Sequence, residues 1–389
     1  MEFEYWWLLA LPLFFAFGWV AKRAYIKQLL NEASAMPAAY FKGLNFLIKE
    51  QHDKALEAFD EAVQINSESL ELNFALGSLF RLRGEIDRAI HLHNNLLERP
   101  QLSDVQRYAI MAELAQDYLK AGLFDRAEAL FLALRASPGY HQPALRSLLD
   151  IFIRERDWVR AIETAADLEK QSGVSFRREI AQFHCELAME AIAAAGNDAA
   201  RKHLQQALAI NPECVRANLM LGDMQVSAGN RPAAIEIWKR IEQQKPQSLG
   251  LAASRLLENH VALEKTGEGL ALLKTWMEKY DLPSILGIIY EATLKHEGAA
   301  AAAQLARAEL TRKPSLNILD RLLQAREIEV GSEARDIGLV KKTVTHFLGN
   351  TRSYCCGQCG FRARQYYWQC PGCNHWESFP PEPREQALR

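Results

Sequence analysis

Small and aromatic residues recur at a spacing of 34 between about Tyr40 and Arg326 of this 389-residue chain. Gly43 and Gly77, Ala55 and Ala89, Ala127 and Ala161, Ala200 and Ala234, and Pro212 and Pro246 are each separated by that interval. The order inside a period also repeats. Gly43, Phe46, Ala55, Phe59 and Ala62 run small–aromatic–Ala–aromatic–Ala, and Ala115, Tyr118, Ala127 and Phe131 repeat the first four of those positions, with Gly122 between the helices. A strict period of this length leaves few folds open, because every unit must make the same turn and meet its neighbour in the same way.

A 34-residue unit is the signature of two antiparallel helices, the tetratricopeptide repeat. Small residues are required where the two helices cross closely, and large apolar residues fill the adjacent hollows. Gly or Asn ends a first helix, as at Gly84 and at Gly229-Asn230. Pro closes a unit because it cannot continue a helix. No unit buries its face alone, so each stacks on the next. The period predicts about seven to eight units, degenerate near 269–280 and 287–314, with an insertion around Pro100–Asp104. Such arrays bind peptide segments or protein domains.

Tyr5 to Ala21 read YWWLLALPLFFAFGWVA, without a charge. A helix of that length covers about 25 Å, close to a hydrocarbon core of about 30 Å. Trp6, Trp7 and Trp19 lie near its ends, where amphipathic rings settle. Pro12 is tolerated in a membrane span. Glu2 and Glu4 precede the run, and Lys22, Arg23 and Lys27 follow it. That charge order is the reverse of a cleaved signal peptide, and it keeps everything after Arg23 in the cytoplasm.

Four of the seven cysteines form two C-x2-C turns, Cys356/Cys359 and Cys370/Cys373, with ten residues between them. Each turn aims two thiolates at one point, and two turns complete a tetrahedron. Gly360 suits the tight first turn; the second continues with Asn374-His375 instead. The segment 364–369 reads as a strand. In a reducing cytoplasm a metal is expected rather than disulfides. All-sulfur geometry suits zinc or a mononuclear rubredoxin-type iron. Cys355 is one residue too far from Cys359 to complete a turn, and Cys185 and Cys214 read as helix-core residues. Phe361, Tyr366, Tyr367, Trp368 and Trp376 crowd the same module. They serve either as a small core with a docking face, which is favoured, or as base-stacking rings with Arg352, Arg362 and Arg364 on phosphates.

Composition narrows the function. Lys and Arg number 46 against 48 Asp and Glu, so there is no bulk field for a polyanion and no nucleic acid is expected. An apolar share of 49% excludes wholesale disorder. No phosphate-cradling loop, zinc-protease pair or nucleophile elbow occurs. His91 and His93 diverge on a helix, as do His184 and Cys185. The four-cysteine site has no open coordination position, and no catalytic residue is nominated, so a non-enzyme is expected.

An N-terminal anchor, a 34-residue array and a C-terminal pair of cysteine knuckles together resemble the lipopolysaccharide assembly protein B family of Gram-negative bacteria, over essentially the whole chain. The segments GSLFRLRGEIDRAI (77–90), DYLKAGLFDRAE (117–128) and YYWQCPGC (366–373) carry the likeness. The resemblance implies an all-α repeat superhelix with a small rubredoxin-like ribbon, on the cytoplasmic side of the bacterial inner membrane. It implies one iron or zinc ion on Cys356, Cys359, Cys370 and Cys373. It further implies an adaptor for the membrane AAA+ protease that degrades the deacetylase committing the cell to lipid A synthesis. A lipopolysaccharide-sensing inner-membrane protein would restrain it, and lipopolysaccharide assembly proteins would be further partners. Self-association stays open. The expected layout is an anchor over 1–23, repeats over 24–330, a linker over 331–352 and the metal ribbon over 353–389. The rival readings are an electron-transfer rubredoxin on a scaffold and an RNA-binding zinc ribbon.

Overall fold

The computed structural model describes residues 19, 22–23, 38–65, 69–331, 335–348 and 352–385. The membrane span expected over 5–21 lies outside these residues, apart from Trp19. Among the described residues no helix is long and apolar enough to cross a membrane. The chain divides into two compact units, Met1–Arg156 and Asp157–Arg389.

The first unit is a run of helices: α1 (Ala38–Ile48), α2 (His52–Ile65), α3 (Leu70–Leu82), α4 (Ile86–Leu97), α5 (Asp104–Ala121), α6 (Phe124–Leu134) and α7 (His141–Glu155). Its first six helices make three antiparallel hairpins. Turn chemistry sets their ends. Gly84 and Gly122 take φ of 79° and 75°, which side-chain-bearing residues adopt at a cost. The four inserted residues near Pro100 lead into a capping box on α5, where Ser103 accepts from the Gln106 backbone N–H and Gln106 accepts from that of Ser103.

The close crossing of the two helices in a unit has a recurring device. A Cβ added to Gly43 would lie 2.7 Å from the Phe59 ring, and one added to Gly77 would lie 2.5 Å from that of His93. Each glycine on a first helix faces an aromatic ring sixteen residues later on the second. His93 is fully buried and its Nδ1 donates to Asp117, also fully buried, at 2.5 Å. Arg81 completes this core network, donating to Asp117 at 2.7 Å and to Glu113 at 2.5 Å. His91 is exposed, so the two histidines part as expected.

The second unit opens with α8 (Trp158–Ser172) and continues as five hairpins: α9 (Arg177–Ala193) with α10 (Asn197–Ile210), α11 (Val215–Ser227) with α12 (Arg231–Lys239), α13 (Gly250–Ala262) with α14 (Thr266–Tyr280), α15 (Pro283–His296) with α16 (Ala299–Arg312), and α17 (Leu316–Val330) with α18 (Arg335–Leu348). The glycine-to-ring crossing recurs, since a Cβ on Gly222 would lie 2.0 Å from Trp238 Nε1. The core runs from Val215 through Trp238, Trp276 and Tyr290 to Ala325. The span 331–352, expected as a linker, carries α18, whose Val344 is buried while Leu339 and Phe347 are exposed. Its apolar residues recur at helical rather than loop spacing, and it packs on α17.

The unit ends in a small three-stranded sheet, with β1 (Arg352–Cys355) between β2 (Arg362–Ala363) and β3 (Arg384–Glu385), both pairings antiparallel. The strand expected over 364–369 does not form. Only Gln369 makes an isolated bridge, to Trp376. Tyr366 and Trp368 instead turn their rings together at 5.0 Å, and Tyr366 also meets Tyr354 and Phe379. In so small a module aromatic packing outweighs the ladder bonds a longer strand would add.

Candidate metal centre

The two cysteine turns share one backbone plan. In the first, the Cys356 N–H donates to Phe361 O at 2.9 Å and the Gly360 N–H to Cys356 O at 3.0 Å. In the second, the Cys370 N–H donates to His375 O at 2.9 Å and the Asn374 N–H to Cys370 O at 2.8 Å. The position after each turn needs positive φ. Gly360 supplies 75°, and Asn374 supplies 58°. Asparagine tolerates that region better than most residues, which explains how the second turn closes without glycine.

The turns bring Cys356, Cys359, Cys370 and Cys373 together, with their sulfurs all within 4.8 Å of one another. The Cys356–Cys373 and Cys359–Cys370 pairs are each 3.7 Å apart. Metal–sulfur bonds of about 2.3 Å at tetrahedral angles give edges of about 3.8 Å, so the quartet fits one ion. The electrostatics agree. Burial opposes ionisation of Cys356, but the Ser378 hydroxyl and the backbone N–H groups of Cys359 and Gln358 bring its thiol down to about 6. The His375 backbone N–H favours ionised Cys373, yet burial and the sulfurs of Cys359, Cys370 and Cys356 together push it up to about 12. Four thiolates so close repel one another, and a cation at their centre removes that penalty. The donor set suits zinc or mononuclear iron and leaves no open position. Cys355 stands outside the quartet, with its Sγ 3.6 Å from Gly360 O. His375 directs its Nδ1 to Cys373 O at 3.0 Å.

The ribbon is seated on α8 and on the first helices of several hairpins in its own unit. Trp376 is buried edge-on against Trp158 of α8 and Phe183 of α9, with ring centroids 6.2 Å and 6.1 Å away. The guanidinium of Arg216, on α11, lies about 6 Å from the centroids of both Trp368 and Trp376. It is buried and paired with Glu186 at 2.8 Å, so a cation–π contact works there with little competition from water. Glu377 accepts from the Gln182 amide at 2.7 Å and lies 3.6 Å from Lys245. Further along, Glu382 accepts from the backbone N–H of Ser284, on α15, at 3.0 Å. The aromatic residues therefore act as a small core with a docking face. Gln182, Arg216, Lys245 and Ser284 carried no sequence signal, because their partners lie far away in the chain.

The family models match both the ribbon and the repeats. The rubredoxin metal binding domain family matches residues 354–381. The tetratricopeptide repeat family matches 113–173 and 185–248. Lipopolysaccharide assembly protein B of Escherichia coli strain K12 is 31% identical over 379 residues, covering 96% of this chain and 97% of its own. The protein of the same name from Haemophilus influenzae is 30% identical over 384 residues, again with 96% and 97% covered. A solved structure of Naa15/Naa10 bound to HypK-THB shares 16% identity over 79% of this chain and 53% of that one, with a TM-score of 0.42. With its repeats, its four-cysteine ribbon and this end-to-end similarity, the chain belongs to the lipopolysaccharide assembly protein B family.

Proposed function

We propose that this chain is a non-enzymatic adaptor in lipopolysaccharide assembly. In this reading residues 5–21 tether it to the bacterial inner membrane, with the bulk of the chain on the cytoplasmic side. Its repeats present the deacetylase that commits the cell to lipid A synthesis to the membrane AAA+ protease. A lipopolysaccharide-sensing membrane protein restrains that delivery, and other lipopolysaccharide assembly proteins use the same scaffold.

The observation that carries the reading is end-to-end similarity to proteins named for lipopolysaccharide assembly, on a scaffold of helical hairpins. Repeat scaffolds bind other proteins through long faces rather than through enclosed pockets. The uncharged run over 5–21 supports the tether. Tethering confines scaffold and membrane partners to one surface and raises their effective concentration without a new contact.

The test is deacetylase turnover in cells whose own copy is replaced by the full chain, by a chain lacking residues 1–23, or by Cys370→Ser. The full chain should support rapid turnover, and both variants should prolong the deacetylase half-life severalfold. Equal half-lives in all three strains would refute the adaptor reading.

A further inference from the structure

Cys185 and Cys214 belong to no part of the metal centre. Both are fully buried, and their sulfurs are 3.8 Å apart. Cys185 lies on α9, and Cys214 is the residue on which α11 begins. They are 29 positions apart, so the fold alone makes them neighbours. A disulfide bond is about 2.05 Å long, so joining them requires the two sulfurs to close from 3.8 Å.

The two thiols are not equivalent. The contact with Cys185 and the Ala217 backbone N–H hold the Cys214 thiol below its usual value against the effect of burial. Cys185 is pushed well above its usual value by the same contact and by burial. A helix N-terminus favours the thiolate of Cys214, which makes it the attacking sulfur and Cys185 the resolving one; with both fully buried, oxidant reaches them only when the start of α11 opens. Their surroundings belong to the ribbon seat. The Gln182 amide lies 3.7 Å from Cys214 Sγ while donating to Glu377 of the ribbon. Arg216, two residues after Cys214, lies beneath Trp368 and Trp376.

We propose that Cys185 and Cys214 are a site of reversible disulfide formation by hydroperoxides, and that closing the bond loosens the ribbon seat. The Cys214 thiolate attacks the peroxide oxygen; the O–O bond breaks, an alcohol or water leaves, and Cys214 becomes a sulfenic acid. The Cys185 sulfur then displaces water from that sulfenic acid, forming the S–S bond. Two thiols lose two electrons and the peroxide gains them. Drawing Cys214 toward Cys185 takes its sulfur from Gln182 and shifts the start of α11, which carries Arg216.

The experiment uses the full chain loaded with zinc. Hydrogen peroxide is added, remaining thiols are alkylated under denaturing conditions, and peptides are mapped by mass. The expected product is a Cys185–Cys214 linked peptide that dithiothreitol separates. Cys355, a half-buried thiol outside the quartet, serves as the internal measure of oxidant exposure. Recovery of Cys185 and Cys214 as free alkylated thiols after Cys355 is consumed overturns the site. So does over-oxidation of Cys214 without a bridge. Amide hydrogen exchange over 374–379 then reads the coupling. It should rise severalfold in the oxidised chain and return on reduction, whereas equal exchange in both states overturns the link to the ribbon. The Cys185→Ser variant should show neither bridge nor peroxide-dependent exchange.

Discussion

The repeats and the ribbon solve the problem of a stable core in opposite ways. Several repeats are held by one contact used again, a glycine on a first helix against a large ring on the second. Gly43 with Phe59, Gly77 with His93 and Gly222 with Trp238 are three copies of it. The ribbon has a core of Cys356, Cys370 and Phe379 with a few half-buried rings, too little to stand alone. It relies on four sulfurs around one point and on a seat made by its neighbours. Regular packing therefore degrades gradually as units are damaged, whereas the ribbon depends on a few contacts that occur once.

The sharpest way to break this contrast is to remove the metal. Cys370→Ser, or a strong chelator, should abolish tight metal binding and unfold 354–381. A structural zinc site is worth on the order of 10 kcal/mol or more in small modules. Helix content should barely change. Metal analysis, hydrogen exchange and far-ultraviolet circular dichroism measure the three outcomes, and a parallel collapse of the helices would erase the distinction.

Separating the seat from the metal comes next. Trp376→Ala should cost about 3–5 kcal/mol of ribbon protection by leaving a cavity against the stacked rings of Trp158 and Phe183. Bound zinc should remain near one per chain, as measured by metal analysis. Loss of metal together with protection would show that seat and metal site are a single unit.

Within the repeats, Gly222→Ala places a methyl against Trp238 and should cost about 1–3 kcal/mol. Gly84→Ala, with open space around it but φ of 79°, should cost about 1–2 kcal/mol from backbone strain alone. Urea titration compares the two. Equal effects would mean that backbone strain, rather than close helix approach, sets the need for glycine.

A further effect is one of pH, absent near neutrality and growing only in acid. His184 is lowered to about 4 by burial and by the neighbouring His203, whose Nδ1 faces its own at 3.4 Å. Its unfolded value is about 6.5. The unfolded chain therefore binds more protons between those values, so this contribution is complete above about pH 6.5 and is lost as pH falls toward 4. His184→Gln should flatten the dependence of the melting temperature on pH in that window. An unchanged slope would assign the acid sensitivity elsewhere.

Much of this was legible beforehand because it is local or periodic. The spacing of 34 located the helix crossings, and Gly84 and Gly229 marked helix ends where the backbone does take positive φ. The two C-x2-C turns named the four sulfurs that the fold gathers. Other features misled or were silent. The segment 364–369 looked like a strand, but its aromatic rings pack as a cluster. The span 331–352 looked like a linker yet carries α18.

By itself the sequence determined the hairpin period, the small-to-large crossings and the identity of the quartet, since each follows from backbone geometry within a few dozen residues. Only the tertiary structure decided where the ribbon rests. Gln182 and Glu377 are 195 positions apart, and no rule of spacing pairs them. The same holds for Cys185 and Cys214, which the folding of three consecutive helices brings into contact. Short-range order is written in residue type and interval, whereas contact across such distances depends on how every intervening unit stacks.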